Sequence, residues 1–266
     1  MEPTVITSTA NTLIRRVKGL AQKKNREKEN CYLADGPHLV QEAVDSGADM
    51  EMILFDAERE DAFRQILAAA GEAGIRTVPV SSRVMQTLSD TVTPQGVIAV
   101  LRSGTEKLPA DVNGLILVLD AVADPGNVGT VIRTADAVNA DAVILSEGCA
   151  DAYAPKTVRS TMGSLFHVPV IRTGKRAEEI IGFFREHGYL AAGTHLAGKE
   201  LFSAQVPWQK KMLFVIGNEA RGMSDRASEA CDLLLKLPIP GKAESLNAAV
   251  AAGIFMYQWL EKTREE

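Results

Sequence analysis

Cysteine is scarce in this chain of 266 residues: Cys31, Cys149 and Cys231 lie far apart, with no Cys-x-x-Cys or Cys/His pairing near them. A disulfide framework and a zinc site are therefore not expected, and the thiols read as small buried or half-buried hydrophobes. No other metal site is expected. No apolar run reaches the roughly 20 residues that a membrane span requires, because Gln258 and Glu261 interrupt the longest one. The opening Met1-Glu2-Pro3-Thr4 has no basic stretch leading into an apolar core, so a secretory leader is not expected and the cytoplasm is the default. Internal repeats and low-complexity tracts are absent. Nucleotide fingerprints are missing too: Gly126 and Gly129 are separated by two residues with no third glycine in place, and no Gly-x-x-x-x-Gly-Lys-Ser/Thr occurs. That spacing builds neither a pyrophosphate turn nor a phosphate loop.

What is present fits a soluble globular protein of one large domain or two ordinary ones, with 46% hydrophobic and 24% charged residues. The net charge of −5 argues mildly against a nucleic-acid partner, but the average hides an asymmetry. Residues 1–30 hold Arg15, Arg16, Lys18, Lys23, Lys24, Arg26 and Lys28 against three glutamates. Such a patch is either a solvated face or a phosphate-binding footprint, and local patches rather than totals decide the latter.

The chain has two textures. In the first, a basic helix over 12–22, strands near 31–34, 52–55, 77–80 and 96–101, and helices over 37–46, 61–73 and 82–88 alternate, giving a small α/β domain over 1–103. The polar, aperiodic stretch 104–112 reads as a linker. Alternation restarts over 113–266 with more apolar strands near 115–119, 143–145, 168–171, 190–192, 213–216 and 233–237, the pattern of a parallel sheet buried on both faces.

Three segments stand out, two directly after such strands and one leading into the last helix. Asp124-Pro125-Gly126-Asn127-Val128-Gly129-Thr130-Val131-Ile132-Arg133-Thr134-Ala135 reads as a turn, an N-cap at Asn127 and a helix whose polar flank carries Arg133. Taken alone, a plain cap with a surface arginine is the simpler reading. Gly217-Asn218-Glu219-Ala220-Arg221-Gly222-Met223-Ser224 puts a glycine at a strand's carboxyl end, where ligands sit in open α/β sheets, and a helix cap at Ser224. The bland alternative is an ordinary strand–turn–helix link. Ile239-Pro240-Gly241-Lys242-Ala243-Glu244-Ser245-Leu246-Asn247 leads into a helix with almost no polar face up to Leu260, which should be buried on more than one side.

Taken together and in this order, the three segments resemble the motifs of the SpoU (TrmH) family of RNA 2′-O-ribose methyltransferases. The basic amino-terminal residues, followed by Tyr32-Leu33-Ala34-Asp35-Gly36 and a helix, are similar to that family's substrate-binding domain, itself like kink-turn-binding ribosomal proteins. Asp35 departs from the more usual glutamate. The resemblance implies methyl transfer from S-adenosylmethionine to a ribose 2′-hydroxyl of RNA, with ribosomal RNA ahead of transfer RNA. It also implies a deep carboxyl-terminal trefoil knot and a homodimer packed through the carboxyl-terminal domain. By matching position, Thr194, Gly217, Ile239 and Leu246 would line the adenosylmethionine site. Asn127, Arg133, Glu219, Ser245 and Asn247 would surround the reacting hydroxyl, while Arg15, Arg16, Lys18, Lys23, Lys24 and Arg26 would meet RNA. The family's proposed general base is the arginine, yet a guanidinium is effectively always protonated. A bidentate phosphate clamp or stabilisation of alkoxide charge are the alternatives. Two other classes compete: a non-catalytic RNA-binding protein that keeps the fold, and a small-molecule enzyme on a doubly wound sheet.

Overall fold

The computed structural model describes residues 4–104, 107–203 and 205–264. It divides into two compact units, the first made of Met1–Ser103 with Tyr153–His167, the second of Gly104–Ala152 with Val168–Glu266. The segment 153–167, read from the sequence as part of the second half, thus folds with the first. Its helix α7 (Pro155–Thr161) packs on β1 (Cys31–Asp35). Tyr153 lies against Tyr32 with ring centroids 4.5 Å apart. Burial of these two aromatic faces outweighs sequence adjacency. The expected linker is also less free than its composition suggests. Thr105 and Glu106 lie outside the described residues, but Leu108 is buried in the second unit's core and Val112 packs against it.

The first unit is a four-stranded mixed sheet in the order β1, β4 (Val97–Arg102), β2 (Met50–Asp56), β3 (Arg76–Val80). β4 runs antiparallel to both neighbours, and β2 and β3 are parallel. One face is covered by Ile14, Val17 and Leu20 from α1 (Thr12–Gly19) and the turn after it, with Val84, Met85 and Leu88 of α5 (Ser82–Leu88), while α3 (Pro37–Asp45) and α4 (Arg64–Glu72) follow β1 and β2 in the chain. The basic helix expected over 12–22 ends early, at Gly19, and a second helix that was not expected, α2 (Lys23–Glu29), follows. The break is held by Arg26, whose Nη1 donates to the carbonyls of Leu20 (2.9 Å) and Ala21 (2.7 Å), groups that a helix end leaves without partners.

The second unit carries a six-stranded sheet, all parallel, in the order β10 (Leu233–Lys236), β8 (Leu190–Glu200), β9 (Met212–Ile216), β5 (Leu115–Leu119), β6 (Ala142–Leu145), β7 (Val170–Arg172). Every residue of β5, β6 and β9 is buried, as their unbroken apolar runs require. Helices α8 (Ala177–Glu186) and α9 (Asp225–Ala230) cover one face through Ile180, Ile181, Phe184 and Ala227. In α6 (Pro125–Ala137), Val128, Val131 and Ile132 are buried, and α10 (Ala248–Thr263) lies against α6 and β9, with Phe255 meeting Phe214 at 5.6 Å. From β5 the chain steps outward to β6 and β7, then crosses to return through β8 and β9 on the other side. The carboxyl ends of β5 and β9 therefore flank the point where the winding reverses, where open α/β sheets hold ligands.

Helix α10 departs from expectation. Ala249, Ala252, Phe255, Met256 and Trp259 are buried, but Val250 and Tyr257 are 53% and 54% exposed, with Leu246 beside the helix mouth at 39%. The spacing of seven puts Val250 and Tyr257 on one side of the helix. Within one chain the all-apolar helix is covered on only part of its circumference.

Candidate active site

The turn after β5 is pinned by loops from both neighbouring strands. Buried Asp120 accepts the Ser224 N–H at 2.7 Å through Oδ2. Ala121, with φ of 54°, donates its N–H to Ser146 Oγ and accepts Asn218 Nδ2 at 2.8 Å through its carbonyl. The next N–H groups, of Ala123 and Asp124, donate to the two oxygens of Glu219 at 3.1 and 3.2 Å. Helix α6 then starts with Pro125 at its first position, where the missing N–H costs nothing. The cap is Asp124, whose Oδ1 accepts the Asn127 N–H at 2.9 Å, not Asn127 as the sequence suggested. Proline favours the first helical position over the interior, which moves the start three residues upstream and releases the Asn127 side chain for other work.

That side chain joins all three motifs. Asn127 Nδ2 donates to Glu219 Oε1 at 2.8 Å, and its Oδ1 accepts Asn247 Nδ2, also at 2.8 Å. Asn247 in turn caps α10, accepting the N–H groups of Ala249 and Val250 through Oδ1. The network fixes which way both amides face. Desolvation acts to raise the Glu219 pKa, but the hydrogen bonds from Asn127, Ala123 and Asp124 outweigh it and hold the carboxyl below its ordinary value. Glu219 is thus an anionic hub at neutral pH and a poor proton acceptor.

Beside this network lies a cavity of about 630 Å³ that brings together Thr194, Gly217, Glu219, Ile239, Ser245, Leu246 and Asn247. Its apolar wall comes from Ile216, Leu235, Leu237, Ile239 and Phe255. Thr194 is held by donation to the Val215 carbonyl at 3.1 Å. The volume and mixed lining match those of small-molecule sites. Sequence reasoning did not single out His195, Met223 or Asn218, which also line it. Asn218 sat inside a quoted motif and His195 next to Thr194, so adjacency was the only signal available.

Gly217 is needed for a reason the sequence did not reveal. A Cβ there would come within 2.3 Å of the Met223 nitrogen and 2.4 Å of the Gly222 carbonyl carbon, because the loop 218–222 folds back over it. Asn218 and Gly222 exchange both backbone hydrogen bonds at 2.9 Å to close that loop. Gly217→Ala is therefore expected to shift the loop and Glu219 with it. It should lower cofactor affinity at least tenfold in calorimetry while costing about 1–3 kcal/mol in denaturant unfolding.

Two groups stand apart from the cavity. Arg133 is exposed on α6, does not line it, and among the described residues has no hydrogen-bond or ion-pair partner. The cysteines offer no nucleophile: burial pushes the Cys149 and Cys231 thiols up to about 11 and about 12, and raises Cys31.

The basic residues of the first unit fall into two groups. Arg15, Lys18, Lys23 and Lys24 are exposed. Arg16 is committed internally: Nε meets Glu29 at 2.5 Å, and Nη1 and Nη2 meet Glu51 at 2.6 and 2.8 Å. Arg26 is buried as the brace between α1 and α2. Charge counted along the sequence does not distinguish a free cation from a bonded one.

Comparison with known proteins identifies this arrangement. Residues 114–257 match the model of the SpoU rRNA Methylase family. The chain belongs to that family. Residues 11–99 match an MRM3-like substrate binding domain. A SpoU relative, the 23S rRNA (guanosine(2553)-2′-O)-methyltransferase RlmP of Bacillus subtilis, is 38% identical over 95% of this chain and 97% of its own length. An AdoMet-bound rRNA methyltransferase from Sinorhizobium meliloti superposes with a TM-score of 0.86 at 29% identity, covering 98% of this chain and 99% of that one. The SpoU methyltransferase AviRb from Streptomyces viridochromogenes, in complex with AdoMet, does so at 0.83 and 28%, covering 95% and 98%.

Proposed function

We infer that this SpoU family member is an S-adenosylmethionine-dependent RNA 2′-O-ribose methyltransferase, and we propose ribosomal RNA, specifically 23S rRNA, as its substrate. The observation that carries the reading is the single hydrogen-bonded network through Glu219, Asn127 and Asn247 at the mouth of the cavity. A non-catalytic protein that kept only the fold has no need of it. The relatives named for 23S rRNA modification, and the match to a substrate-binding domain, support the choice of RNA.

The cavity suits the cofactor by volume and by its apolar wall. Thr194, Gly217, Ile239 and Leu246 hold it there. S-adenosylmethionine supplies an electrophilic methyl group on a sulfonium. Ser245 and Asn247 orient the ribose hydroxyl, Asn127 keeps Asn247 in register, and Glu219 anchors Asn127. Arg133 neutralises charge on the reacting oxygen or its neighbouring phosphate, which needs no deprotonated guanidinium.

In this reading the first unit binds RNA through Arg15, Lys18, Lys23 and Lys24, and the second transfers the methyl group from a knotted carboxyl-terminal region. The exposed pair Val250 and Tyr257 is the centre of a homodimer interface, since an apolar stripe on an otherwise buried helix calls for cover. The work is done in the cytoplasm, where ribosomes are; no helix among the described residues is long and apolar enough to cross a membrane.

Two measurements test the proposal. Calorimetry should show the pure protein binding S-adenosylmethionine at micromolar to submillimolar concentration. Mapping ribose methylation in RNA from cells with and without the protein should reveal a site in 23S rRNA that depends on it. A lost site in transfer RNA would overturn the substrate, and no binding at millimolar donor would overturn the chemistry.

A further inference from the structure

We propose that Asn218 is a positioning residue for methyl transfer, acting through Ala121 to place Asn127; this rests on the role given to Asn127 above. Every polar atom of the Asn218 side chain is engaged within the protein. Its Nδ2 donates to the Ala121 carbonyl at 2.8 Å, and its Oδ1 accepts the N–H groups of Ala220 and Arg221 at 2.9 and 3.1 Å. It therefore joins the loop that carries Glu219 to the turn that carries Asn127.

The turn needs this hold because of its backbone. Ala121 sits at φ of 54°, a left-handed conformation that an alanine adopts only under constraint. Its Cβ faces Gly148, where an added Cβ would come within 3.2 Å of it. The conformation turns the Ala121 carbonyl toward Asn218, while the N–H groups of Ala123 and Asp124 go to Glu219. Without the donor at Nδ2, Ala121 is free to relax toward negative φ. The two N–H groups then leave Glu219, and Asn127 loses its fixed amide orientation.

The test separates this from simple loop closure. Asn218→Asp keeps the acceptor for Ala220 and Arg221 but replaces the donor with a carboxylate oxygen facing a carbonyl. Total RNA from cells lacking the protein serves as substrate, with labelled S-adenosylmethionine. We expect Asn218→Asp to lower kcat at least tenfold, with RNA KM within about threefold of wild type, and to speed amide exchange at residues 123 and 124 at unchanged Tm. Adding Ala121→Gly to Asn218→Asp, which removes the cost of positive φ, should recover at least threefold in kcat over Asn218→Asp alone, and no recovery would overturn relaxation of Ala121 as the route. Asn218→Asp with at least half of wild-type kcat and unchanged exchange at 123 and 124 would overturn the inference. Asn127→Ala with full turnover would instead overturn the site assignment beneath it.

Discussion

Arg133→Lys is expected to lower kcat by about two orders of magnitude while leaving stability within about 0.5 kcal/mol of wild type. The stability half follows from exposure: the side chain has no partner among the described residues that its loss would strand. The activity half follows from chemistry. Lysine keeps the charge but loses the planar fork that engages a phosphate or a developing oxyanion from two directions. Single-turnover methylation of RNA, set beside urea denaturation of the same preparations, checks both. Near-normal turnover would remove Arg133 from the reaction altogether, as base or as clamp. A large loss of stability would show that it holds the fold instead.

Because Arg133 does not line the cavity of its own chain, a partner's cavity is the natural place for it to act. Mixing Arg133→Lys with Asn247→Ala, each nearly inactive alone, should then restore about a quarter of wild-type activity. Random pairing makes half the dimers mixed, and each mixed dimer has one intact site. No recovery would place the arginine in its own chain's site.

The second large effect concerns the stripe that α10 leaves uncovered. Val250→Glu should convert the protein to a monomer in sedimentation and reduce turnover at least tenfold, with the isolated chain still folded by circular dichroism. In an isologous interface a residue near the axis faces its own copy, so one substitution sets two carboxylates against each other in an apolar setting. Within one chain Val250 is 53% exposed, so the change strains little of the monomer's own packing. A dimer that persists would move the interface elsewhere. A monomer with full activity would separate dimerisation from catalysis and return Arg133 to its own chain's cavity.

Much of this was readable without a structure, for local reasons. Unbroken apolar runs of five residues such as Leu115–Leu119 and Met212–Ile216 are short enough to read as strands buried on both faces, and the three motifs carry their own turn chemistry. Local rules failed where a competing partner was distant in sequence. Asn127 looked like a cap because nothing nearby announced that Glu219, 92 residues on, would take its amide. Arg16 looked like a free cation because Glu51, 35 residues on, becomes its partner only once the chain is folded. Segment 153–167 read as part of the second half by position, yet Tyr153 finds its aromatic partner at Tyr32.

Composition and periodicity thus set the strands and the helices, which depend on neighbours a few residues apart, while the family resemblance rested on the three motifs. Which asparagine caps and which bridges, which arginine is spent and which is exposed, and why Gly217 admits no side chain were settled by tertiary contact. A hydrogen bond has a fixed number of donors and acceptors, and only the folded chain decides which of them meet.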